Sequence, residues 1–68
     1  MQLRVKLKEV LQERNMTQLE LVKLTGLRSA VVSELCNNQR MSIKKDHITK
    51  ICVALDINDI RDILELVE

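Results

Sequence analysis

The stretch 17-TQLELVKLTGLRSAVVSELCNN-38 decides how this chain is to be read. Thr17, with Glu20 three residues on, forms a capping box that satisfies orphan amides at a helix start. Leu21 and Leu24 then recur at helical spacing. Gly26, the one glycine of the chain, permits the positive φ that a tight helix stop demands. After Leu27 a second apolar rhythm runs through Val31 or Val32 to Leu35. Asn37 and Asn38 end it, because asparagine tolerates the left-handed conformation and competes with helix. Two short helices joined by a three- to four-residue turn with a glycine make a helix-turn-helix pattern. The same pattern also fits an αα-corner of any helical bundle.

Upstream of that stretch, residues 2–14 carry two overlapping signals. Leu3, Val5 and Leu7 alternate with Arg4, Lys6 and Lys8, which is strand spacing. Leu3, Leu7, Val10 and Leu11 also fit one helical face. The reading is a helix over about 6–14, closed by Asn15, with residues 2–5 either its first turn or a short extended arm. Met16 precedes the Thr17 cap, where a hydrophobic staple packs. Downstream, the loop QRMSIKK carries Arg40, Lys44 and Lys45. Ile48, Ile51, Cys52 and Leu55 then fall at i, i+3, i+4 and i+7, an amphipathic helix over about 43–55. Asp56 ends it, and Asn58 can cap a last helix. Asp59 and Asp62 suit the positive end of its dipole. Ile60, Ile63, Leu64 and Val67 would form its inner face, with Leu66 off that stripe. The expected fold is all-α: five short helices around an aliphatic core, in a single domain over residues 1–68.

Composition narrows the function classes. The chain has 68 residues, no aromatic side chain and no proline. So small a core, built from Leu, Ile, Val, Met and Ala alone, implies marginal monomer stability or dimerisation. The longest apolar run, Ile51–Leu55, is far short of a membrane span, and residues 1–11 hold no continuous signal-peptide core. Cys36 and Cys52 are widely spaced, as in a protein of the reducing cytoplasm. With His47 they lack the Cys-x-x-Cys or His-x3–5-His spacing of a zinc site, and Cys52 lies in an apolar stripe. No metal or cofactor is expected, and no nucleophile–base–third-group constellation marks an enzyme.

The net charge of +1 conceals a segregation. Residues 1–50 hold ten Lys/Arg against five Asp/Glu, and residues 51–68 hold Arg61 against five acids. The two parts therefore carry +5 and −4. A basic body with an acidic end suits a nucleic-acid face on one side and a solvent or partner face on the other.

MTQLELVKLTGLRSAVVSELCNNQR resembles the recurring pattern of the Cro/C1-type (Xre-like) helix-turn-helix regulators of bacteria and phages: Thr-Gln, a Leu, a central Gly, then Ile/Val and a Leu before Asn-Gly-Lys. RVKLKEVLQERN and ITKICVALDIN are similar to that family's first and fourth helices. The resemblance implies a lambda-repressor-like DNA-binding domain. Gln18 would bind a backbone phosphate at a helix N-terminus. A helix over about 28–36 would enter the major groove, presenting Arg28, Ser29, Ala30, Ser33 and Glu34. Arg28 would pair with guanine, Glu34 would accept from a cytosine amine, and Ala30 would meet a thymine methyl. Asn37, Arg40, Lys44 and Lys45 would grip phosphates. The implied protein is a phage- or prophage-type repressor, a cytoplasmic, nucleoid-associated homodimer on double-stranded DNA, joined through Leu64, Leu66 and Val67 or the basic arm.

Several positions depart from the family pattern: its glutamate falls at Cys36 and its Gly and Lys at Asn38 and Gln39, and three further departures bear most on that implication. Val22 stands where a small alanine usually marks the close helix crossing. Arg28 stands where the recognition helix is usually capped by Ser or Thr. Ala30–Val32 is an apolar run in which only one valine is expected to reach the core. An exposed second valine would favour the rival reading, a protein-interaction module serving as co-regulator or antirepressor of another regulator.

Overall fold

The structure is a computed structural model that describes residues 1–39 and 42–68. Its elements run β1 (Gln2–Val5), α1 (Leu7–Glu13), α2 (Gln18–Thr25), α3 (Ser29–Cys36), α4 (Lys45–Ala54), a single 3-10 turn (Ile60–Asp62) and β2 (Leu64–Val67). The first four helices stand where their apolar spacing puts them. The expected fifth helix does not form: a 3-10 turn and a strand take its place.

The reason lies in the partner available to residues 63–67. Ile-Leu-Glu-Leu-Val alternates at the period of a strand as well as offering a helical stripe, and ten residues are too few for a helix to hold alone. The arm at residues 2–5 alternates too, and the two segments pair antiparallel with Leu3 opposite Leu66 and Val5 opposite Leu64. Lys6 N–H continues the ladder by donating to the Ile63 carbonyl at 2.7 Å. Arg4 locks the register, bridging Glu65 at 2.8 Å and Glu9 of α1 at 2.6 Å. Asp59 caps only one turn: its carboxylate accepts from Arg61 N–H at 2.9 Å and holds the Arg61 guanidinium at 2.7 Å. No hairpin is needed, so the lack of proline and the single glycine do not forbid the sheet.

Every helix stops on a left-handed residue: Asn15, Gly26, Asn38 and Asp56, with φ of 53°, 73°, 53° and 55°. After α1, α3 and α4 the next amide reaches back to the carbonyl five residues earlier, from Met16 to Leu11, Gln39 to Glu34 and Ile57 to Cys52. This is the Schellman arrangement, and it accounts for short helices joined by tight corners.

The core is aliphatic and continuous, with Leu7, Leu21, Val32, Ile51, Leu55 and Ile63 fully enclosed. Leu24 does not join it. That side chain is 58% exposed, and α2 instead turns Leu21, Val22 and Thr25 inward. Ile60 and Leu66 are exposed as well. Burial pushes both thiols, Cys36 and Cys52, above their ordinary values. Among the described residues no helix is long and apolar enough to cross a membrane.

Candidate nucleic-acid interface

The start of α2 is built as its sequence requires. Thr17 is extended; its hydroxyl accepts from Glu20 N–H at 3.1 Å, while the Glu20 carboxylate accepts from Thr17 N–H at 3.2 Å. Gln18, the first helical residue, is exposed beside this cap. Gly26 then ends α2, and its N–H returns to the Val22 carbonyl at 2.9 Å. Val22 is half-buried and packs against the core. The Thr25 hydroxyl donates to the Leu21 carbonyl and accepts from Leu27 N–H, so the turn needs no outside support.

α3 divides cleanly into two faces. Val31, Val32, Leu35 and Cys36 are all buried, which corrects the expectation of one exposed valine. Consecutive helical residues lie about 100° apart, so both reach the interior when a helix is covered on two sides. Val32 faces the core, and Val31 lines a cavity that α3 shares with the start of α4. The opposite face carries Ser29, Ala30 and Asn37, all exposed, and half-buried Ser33 and Glu34. Asn37 Nδ2 lies 3.5 Å from the Ser33 hydroxyl, a long contact along that face. The apolar run thus leaves the outer face polar and small.

Arg28 occupies the N-cap of α3 with extended backbone and, as its side-chain type implies, makes no cap. Lys44 occupies the equivalent position before α4, also without a side-chain cap, and Lys45 follows it, exposed. The fold brings Arg28 and Lys44 to one cavity of about 400 Å³, together with half-buried His47. Reading the sequence left His47 out of the site. The signal for it was its spacing from Lys44, since residues at i and i+3 share a helix face. Arg40 lies outside the described residues. Gln18 stands on a separate element from the α3 face.

Asn38 is a second residue whose part is visible only in three dimensions. Its side-chain amide clasps the backbone of β1, with Oδ1 accepting from Val5 N–H at 2.7 Å and Nδ2 donating to the Val5 carbonyl at 3.0 Å. The end of the candidate recognition helix is therefore tied directly to the sheet.

No curated protein and no solved structure matches the chain. A family model does, over residues 6–68: the Cro/C1-type helix-turn-helix DNA-binding domain. That span takes in the capped α2, the glycine turn, α3 and both flanking helices, and the chain belongs to the Cro/C1-type helix-turn-helix DNA-binding domain family.

Proposed function

We propose that this protein is a sequence-specific transcriptional regulator of the phage or prophage repressor type. It acts in the cytoplasm on double-stranded DNA, as a homodimer on a two-half-site operator. The observation that carries this reading is the outer face of α3, where Ser29, Ala30 and Ser33 stand opposite four buried apolar side chains. A helix with a small, polar outer face can lie in the ~12 Å major groove and offer hydroxyls and a methyl to base edges. Glu34 borders that face and would accept from a cytosine amine. Gln18 at the α2 start, Asn37 beyond α3 and Lys45 at the α4 start would hold phosphates on either side. The exposed valine on which the protein-interaction reading leaned does not exist.

Titration against duplex DNA at several salt concentrations tests this. Binding should weaken linearly on a log–log scale, and Lys45→Ala should reduce the slope by ~0.9, one phosphate contact. Ala30→Glu places a second carboxylate on the groove-facing surface and should abolish selective binding with the helix content intact. Absence of salt-dependent binding to any duplex would sink the reading.

A further inference from the structure

We infer that the cavity between the starts of α3 and α4 seats one backbone phosphate of the bound duplex. Arg28, Lys44 and His47 hold that phosphate jointly, so Arg28 grips the backbone and does not read a base. This assignment rests on the DNA reading above and changes the part Arg28 plays in it.

Three observations converge on that cavity. Its lining is Gly26, Leu27, Arg28, Val31, Lys44 and His47, so every charged side chain around its roughly 400 Å³ is a cation. The cavity of similar size between α1 and the 3-10 turn is different, since Glu9, Glu13 and Asp62 stand among its cations Lys6 and Arg14. Next, Arg28, Lys44 and His47 have no ion pair or side-chain hydrogen bond among the described residues. Arg4, Lys50 and Arg61 are already matched to Glu9 and Glu65, to Asp46, and to Asp59. Cations left unmatched around a concave wall, with no carboxylate in it, favour an anion.

The backbone supports the same assignment. α2 and the 3-10 turn begin with side-chain caps from Thr17 and Asp59, whereas α1, α3 and α4 begin at Lys6, Arg28 and Lys44 with none, and of these α3 and α4 meet at this cavity. First-turn amides of both helices are thus left for an outside acceptor beside the cations Arg28 and Lys44 and the His47 ring. Arg28 also precedes the helix in extended conformation, φ −69° and ψ 145°, off the regular face of Ser29, Ala30 and Ser33. It lines a wall it shares with α4, which places it at the edge of the recognition surface.

Binding of Arg28→Ala, Lys44→Ala, His47→Ala and the triple variant tests the assignment. Two duplexes serve, one selected by the wild-type protein from a random pool and a scrambled version of it. Circular dichroism verifies folding, which exposed and half-buried positions should preserve. Each single change should weaken both duplexes by the same factor. The triple variant should lose ~0.9 of the salt slope in all, because one phosphate is released. The assignment is overturned if Arg28→Ala weakens the selected duplex by roughly 5- to 150-fold and spares the scrambled one, the mark of a base contact. It is overturned equally if His47→Ala binds as wild type, or if the triple variant loses ~2 or more of the slope, the mark of separate phosphates. A wild-type protein that binds no duplex at any salt would instead remove the DNA reading, and the phosphate seat with it.

Discussion

Asn38 shows how much a single side chain can organise in so small a domain. It holds the left-handed corner after α3 and supplies two hydrogen bonds to the buried Val5 backbone. Asn38→Ala removes both bonds and puts alanine, which tolerates the left-handed well less readily than asparagine, at φ 53°. Each lost bond costs ~1 kcal/mol and the backbone change ~1–2 kcal/mol, so a loss of about 3 kcal/mol is expected by urea denaturation. Asn38→Gly keeps the corner and should lose about 2 kcal/mol, the hydrogen bonds alone. Equal losses for the two variants would mean that the corner carries no strain. Asn37, its neighbour, is exposed and makes one long contact, 3.5 Å to the Ser33 hydroxyl of its own helix. Adjacent asparagines look interchangeable in sequence, but the residue at the left-handed corner, Asn38, pairs with the sheet, while Asn37 stays with its own helix.

The two-stranded sheet is the element on which the helical expectation failed, and the ion pairs that join it to α1 and brace the 3-10 turn before it make a pH prediction. The hydrogen bond from Arg4 holds the Glu9 carboxyl below its ordinary 4.5, and Arg61 holds Asp59 below its ordinary 3.8. A carboxylate whose value is lowered by folding stabilises the fold above its ordinary value. That contribution disappears as pH falls through the lowered one. The urea midpoint should therefore be flat from pH 7 down to about 4.5 and fall below it. Arg4→Met should lower the neutral plateau modestly, as exposed pairs do, and shallow the acid limb. An acid limb identical in Arg4→Met and wild type would show that Glu9 draws nothing from the pair. On the helices the sequence was more legible: Thr17, Glu20 and Gly26 act through neighbours within four residues, and the structure repeats their arrangement. Residues 58–67 were ambiguous because their alternation satisfied two periods, and only residues 2–5 could decide between them.

At the scale of the whole molecule, the sheet leaves Leu3 and Leu66 opposite each other at 54% and 66% exposure. Met1, at 81% exposure, lies next to the same strand. A domain of this size buries little more than half of its unfolded surface, so covering such a cross-strand pair is worth much to it. The two segments that the sequence offered separately as dimer contacts, the arm and residues 64–67, are one surface here. We expect the protein to dimerise through it, with Leu66→Lys monomeric by sedimentation at micromolar concentration and weaker on two-half-site DNA. A wild-type protein that sediments as a monomer alone and binds DNA as a single copy would refute this. The half-sites of such a dimer should lie ~34 Å apart, one turn of DNA.

Whatever depends on residues a few positions apart was determined by the sequence itself: the capping box, the glycine stop, the spacing of four helices and the family they compose. Contacts between distant segments decided the rest. Residues 64–67 became a strand because residues 2–5 lay beside them. Both Val31 and Val32 were buried because α1 and α2 pack against the inner side of α3. Arg28, Lys44 and His47 share a cavity because two helices begin at the same place, and no local pattern records where a helix begins in space. Thr17–Asn38 specifies the shape of the DNA-reading motif; the packing around it determines which of its side chains remain available to DNA.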